Sequence, residues 1–179
     1  MKQIVKLKHW QVFVIISISY FISFILQEDN FKIGNITSLD LAAIATIITL
    51  IMFFSWTLTI GIYLNSIPTK PYHIKNYILF IAVCICILGY SNLNLQRLIF
   101  KNEIFPFWIS FITTPLTLWG IYYSFYNVAK LLKSIELNRE AKFSECILDA
   151  ITLFAFPVGV WFIQPRINKI LMASEMKRE

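Results

Sequence analysis

The residues with the most chemistry in them fall near the end of the chain, where Asp149 is the only acidic residue inside an apolar run and is followed by Pro157, Gly159, Trp161, Gln164, Pro165, Arg166 and Asn168. An ionisable side chain in hydrocarbon costs roughly 2.5 to 3.5 kcal/mol on insertion scales, so it marks either a conduction path or a charge pair. Asp149 therefore has two readings: a proton relay or ion-pathway residue, or a carboxylate at headgroup depth paired with Lys142, Arg139 or Arg166. Arg166, placed just past Ile163 by Pro165, carries a planar fork that suits phosphate and carboxylate alike. It is expected to meet a lipid phosphate or Asp149, with an ordinary interfacial anchor as the plain alternative.

Other chemistries find no residues to carry them. His9 and His73 lie in separate basic stretches without a carboxylate or cysteine at ligand spacing, so no metal site is expected. Cys84, Cys86 and Cys146 are odd in number, form no CxxC pair and occupy apolar runs as small hydrophobes. The chain holds no serine in a glycine-framed turn, no HExxH, no phosphate-cradling glycine loop and no pair of intramembrane carboxylates. A non-enzymatic protein without cofactor follows as the expectation.

The elements that position these residues are read from hydropathy. At 58% hydrophobic residues and mean hydropathy +0.67, the apolar residues gather in runs that are apolar all round, whereas soluble helices keep a polar back face. The expected fold is an all-α integral membrane protein forming one module, with spans at 10–26, 41–64, 77–95 and 107–128, a fifth broken segment at 146–163 and a basic cytoplasmic tail at 164–179. No small-residue cleavage site follows the first run, where the chain reads Gln27, Glu28, Asp29, Asn30, so that run is expected to stay as an uncleaved helix. Ser19 and Ser23 share one face of it and permit close packing. Gly34 and Asn35 signal a turn, and Ser38 or Asp40 is expected to cap the second helix. Pro68 and Pro71 mark a basic loop, Ser91 to Asn94 interrupt the third run, and Pro115 and Gly120 permit a bend in the fourth. Between Lys130 and Lys142 no helix breaker appears, so the fourth helix is expected to continue out of the bilayer as a solvated extension.

Charge sets the orientation. With four full crossings and a cytoplasmic start, nine basic residues (Lys2, Lys6, Lys8, Lys70, Lys75, Lys130, Lys133, Arg139, Lys142) fall inside against Lys32, Arg97 and Lys101 outside. Arg166, Lys169, Lys177 and Arg178 join the inside set if 146–163 is a re-entrant or interfacial hairpin, and the outside set if it is a short, tilted fifth crossing. The hairpin keeps the charge rule cleaner. The net charge of +6 is dispersed beside apolar runs and forms no continuous basic face, so nucleic acid is not the expected partner.

The start, Leu7-Lys8-His9-Trp10-Gln11-Val12-Phe13, the stretch Ala129 to Leu137, and the tail from Phe156 to Asn168 resemble a set of small multi-pass membrane proteins of Bacteroidota-type bacteria. There is a further likeness to the multi-pass accessory proteins of type VI-B CRISPR loci. The charge count places the N-terminus in the cytoplasm, and the resemblance implies a bacterial inner-membrane protein that serves as a regulatory or phage-defence accessory. Its partners would be the lipid bilayer, anionic lipid headgroups, and a protein partner or a second copy. The alternative is a small oligomeric channel or transporter with Asp149 and the Pro157/Gly159 break lining its path.

Overall fold

The computed structural model describes residues 9–28, 32–33, 36–67, 71–100, 107–155 and 158–176. These residues form helices α1 (His9–Glu28), α2 (Ser38–Asn65), α3 (Asn76–Phe100), α4 (Phe107–Leu137), α5 (Phe143–Phe154) and α6 (Val158–Met176). A short ribbon of β1 (Lys32–Ile33) and β2 (Ile36–Thr37) joins α1 to α2, with Lys32 opposite Thr37 and Ile33 opposite Ile36. Pro68, Gly34, Asn35 and Pro157 lie outside the described residues.

The ribbon delivers Thr37 to the start of α2, and Thr37 is the cap in place of the expected Ser38 or Asp40. Its hydroxyl accepts from the Asp40 amide at 3.2 Å while the Asp40 carboxylate accepts from the Thr37 amide at 2.9 Å, a reciprocal pair that satisfies two otherwise orphaned donors. The first four helices then pack antiparallel, each on the next. Small residues set the spacing. The Ser23 and Thr46 hydroxyls meet at 2.5 Å between α1 and α2, and a Cβ on Gly61 would stand 2.5 Å from Leu79 of α3. On Gly120 of α4 it would stand 2.8 Å from the Ala82 carbonyl, so this glycine serves close packing of α3 on α4.

Two expectations about helix length are corrected. Ser91 to Asn94 do not interrupt α3, which continues to Phe100, because such residues cost a helix only tenths of a kcal/mol where glycine or proline would break it. The continuation of α4 past residue 128 is not solvated: Val128, Ala129, Leu131, Leu132 and Ser134 are all fully buried. Nor does α4 run on to 142. It stops at Leu137, where Asn138 takes the left-handed conformation (φ 53°) that asparagine tolerates better than other residues with a side chain. The chain then folds back along α4, with the Ala141 amide donating to Ser134 Oγ at 2.9 Å and the Phe143 ring 5.5 Å from that of Tyr126.

The core lies in the half of the bundle nearest these connections. Phe54 of α2 and Phe154 of α5 both pack on Phe125 of α4, with ring centroids 5.8 Å apart in each case, and Ile60, Leu64, Leu153, Ile163 and Ile167 fill in around them. Outside, large apolar side chains stay exposed on every helix, among them Phe21, Ile48, Phe80, Phe111, Leu148 and Phe162. Among the described residues one helix, α2, is by itself long and apolar enough to cross a membrane, with mean hydropathy 2.1 over its best window. The apolar stretches of α1 and α3 are shorter, Trp10–Leu26 and Asn76–Gly89, and α5 with α6 reach that standard only as a pair bent by 120°.

Candidate functional site

Asp149 and Arg166 are 17 positions apart, which a continuous helix would turn into about 25 Å. In the fold they touch. Arg166 Nη1 donates to Asp149 Oδ1 at 2.6 Å and Nη2 to Oδ2 at 2.9 Å, because α6 doubles back across α5. The chain turns after Ala155, whose amide still donates to the Ile151 carbonyl at 2.9 Å, and α6 opens with the Gly159 amide donating to the Ala155 carbonyl at 3.0 Å. Gly159 itself lies against the Thr152 carbonyl with no room for a Cβ. A glycine is needed here because backbone meets backbone.

A second carboxylate completes the site. Glu136, in the last turn of α4, accepts from Arg166 Nε at 2.7 Å and from Nη2 at 2.7 Å, so one guanidinium forks onto two carboxylates from two helices. Lys133 stands 3.8 Å from Glu136, which balances two cations against two anions. The cluster is sheltered, with 13% of the Asp149 side chain and 29% of the Arg166 side chain exposed. Its bonds to Asp149 and then to Glu136 raise the Arg166 pKa further above its already high ordinary value, so its charge is fixed at any accessible pH. The result is an ionic clasp joining α4, α5 and α6. Neither Arg139 nor Lys142 is Asp149's partner: Arg139 forks onto Glu145, and Lys142 donates its backbone amide to the same carboxylate at 2.8 Å.

The expected basic tail from 164 onward does not leave the bundle at Gln164, Pro165 and Arg166, since α6 runs through them to Met176. Gln164 is fully buried and accepts from Trp56 Nε1 of α2 at 3.0 Å, while its amide nitrogen donates to Asn168 Oδ1 at 3.3 Å. Pro165 sits on the exposed side of α6. Trp161 is 44% exposed and meets Phe13 of α1 edge-on at 5.4 Å. The site thus gathers Asp149, Gly159, Trp161, Gln164, Arg166 and Asn168 into one brace against α1, α2 and α4. Pro157 lies outside the described residues.

Trp56 and Glu136 were missed by sequence reasoning. Trp56 sits in mid-run and reads as ordinary core, and Glu136 is one of several charges in a mixed stretch. One signal was available for Gln164: Val160, Ile163, Ile167 and Leu171 follow helical spacing, and Gln164 falls on their face.

The same end of the bundle carries a wider charged layer. Lys130 binds Glu140 at 2.6 Å and lies 4.2 Å over the Tyr72 ring, whose hydroxyl donates to Asn127 at 2.6 Å; Asn65 brackets the α2–α3 connection by bonding both backbone groups of Ile74. Among the described residues this end holds seven Lys and Arg side chains (Lys75, Lys130, Lys133, Arg139, Lys142, Arg166, Lys169) against four carboxylates (Glu136, Glu140, Glu145, Asp149). All four carboxylates are already held in ion pairs, so the basic excess stays on the surface. Among the described residues no group of three His, Cys, Asp or Glu side chains is placed to hold a metal ion. No protein family, curated protein or solved structure matches the chain.

Proposed function

We propose that the chain is a non-enzymatic, multi-pass protein of a bacterial inner membrane. In this reading α1 to α4 cross the bilayer, α5 and α6 form a re-entrant brace, and the basic end faces the cytoplasm as an accessory or regulatory surface for anionic lipid or a protein partner. A phage-defence setting is the process that the resemblance in sequence implies. The observation that carries the reading is the apolar exterior: every helix exposes large hydrophobic side chains, far beyond the scattered few of a water-soluble monomer, while charge collects at one end. The basic excess at that end accords with the cytoplasmic bias of Lys and Arg. The clasp accords with the brace, since it holds the tail beside the α4–α5 connection.

Reporter fusions test this. Alkaline phosphatase and a fluorescent protein, fused separately after Glu179 and after Lys75, should give fluorescence without phosphatase activity at both places. Phosphatase activity at Glu179 overturns the re-entrant arrangement, and recovery of the protein from the soluble fraction overturns the membrane reading.

One observation favours a second reading, a small oligomeric channel or transporter: a bent helix pair carrying a sheltered carboxylate, Asp149. Ion flux through reconstituted protein that changes with Asp149→Asn supports it, and absence of flux discards it.

A further inference from the structure

The helices α1 and α2 are pinned together in one half of the bundle, where Ser23 meets Thr46 at 2.5 Å. Between them lies a cleft of about 220 Å³, walled by Val12, Ile15 and Ile16 of α1 and by Met52, Ser55 and Trp56 of α2. It opens outward, because Ile15, Met52 and Ser55 are exposed. The indole N–H of Trp56 is turned inward onto Gln164, so the tryptophan offers the cleft its apolar rings. An engineered apolar cavity of roughly 150 Å³ stays dry and takes up small hydrocarbons, so a space of this size and lining favours an apolar occupant. A helix is too broad for it at about 10 Å across, whereas a single hydrocarbon chain is not.

The cleft lies in the half of the bundle that carries the basic excess, and Lys6 and Lys8 immediately precede α1 in the chain. Resting on the membrane reading above, we propose that the cleft holds one acyl chain of an anionic phospholipid, whose headgroup sits at the basic end. Apolar fit supplies the binding of the chain, and charge supplies the choice of headgroup.

The cleft's own tryptophan reports occupancy. In a variant keeping Trp56 alone, with Trp10, Trp108, Trp119 and Trp161 changed to Phe, fluorescence is read in phosphatidylcholine vesicles. These contain equal fractions of either brominated phosphatidylglycerol or brominated phosphatidylcholine. Trp56 should be quenched by the anionic lipid with about fivefold higher apparent affinity, the preference that one basic residue at an anionic surface supplies. Ser55→Phe, and more mildly Ser55→Leu, should fill the cleft and abolish that preference while circular dichroism and melting temperature stay unchanged. A matched variant keeping only Trp119, exposed on α4, should be quenched alike by both lipids. Equal quenching of Trp56 by the two lipids, or a preference that survives in folded Ser55→Leu, overturns the inference and leaves the membrane reading standing. Failure of either lipid to quench Trp119 overturns the membrane reading itself.

Discussion

Arg166 Nη1 lies 2.6 Å from Asp149 Oδ1, and the same guanidinium lies 2.7 Å from Glu136. A cation shared between two carboxylates of different helices fixes the relative position of α4, α5 and α6 by charge-assisted bonds whose planar geometry admits few alternatives. Because every carboxylate oxygen in the cluster accepts from the same side chain, the consequences of removing it are asymmetric.

Arg166→Ala leaves two sheltered carboxylates facing each other without a counter-ion, and should destabilise the fold by about 3 kcal/mol, the low end for breaking a buried pair, given that the site is partly exposed. Adding Asp149→Asn should recover part of that loss, because a neutral amide leaves Glu136 with Lys133 as partner. Arg166→Lys should restore less than half, since an ammonium cannot fork onto both acids. Melting temperatures in detergent for the singles and the double settle it, and equal values across all of them would reduce Arg166 to a topogenic charge.

The Trp56–Gln164 bond is a buried polar contact of α6. Gln164→Leu strands the indole N–H in an apolar core and should cost about 1 to 3 kcal/mol, the penalty of an unsatisfied buried donor. Combining it with Trp56→Phe should cost less than the two single losses added together, because both partners are then gone. A double-mutant cycle by chemical or thermal unfolding reads the coupling, and strict additivity would disconnect the two residues.

Gly159→Ala places a methyl group on the Thr152 carbonyl, where only backbone movement can make room. The α5–α6 turn should open, with Arg166 drawn away from Asp149. The observable is loss of the coupling between Arg166→Ala and Asp149→Asn in the Gly159→Ala background. Persistence of that coupling would show that the turn tolerates a side chain.

The Arg139–Glu145 fork offers a pH test with a definite sign. Bonds from Arg139 first, and then from the Lys142 amide, hold the Glu145 carboxyl at about 2, against an ordinary 4.5. A depressed folded value means that the stabilisation is fully present above pH 4.5 and is lost as pH falls toward 2. The melting-temperature difference between the native chain and Glu145→Gln should therefore be constant above pH 5 and shrink steadily below pH 4.5. The pair is solvent-exposed, so the difference should be small and should weaken with salt. A difference that grows on acidification would contradict the assignment.

Much of the local organisation was legible because it depends on neighbours within a turn or two. The apolar run at 41–64 became α2 (Ser38–Asn65), and the proline and glycine at 157 and 159 flagged the place where α5 gives way to α6. The Ser23 face became a helix contact, as short polar side chains at one face allow. The choice of partners was not legible. Arg166 and Glu136 are 30 positions apart, and Trp56 and Gln164 are 108 apart. Those contacts exist because Asn138 turns the chain back along α4 and because α6 bends 120° away from α5. A lysine-rich stretch after residue 130 looks solvated when read alone, yet Leu131 and Leu132 are buried in the core that the packed helices share. Sequence alone located the apolar helical segments, since periodicity and breakers act through adjacent turns, but not where α3, α4 and α6 end. Tertiary structure decided which charge meets which and which polar residue is buried, since both depend on the direction in which distant helices cross.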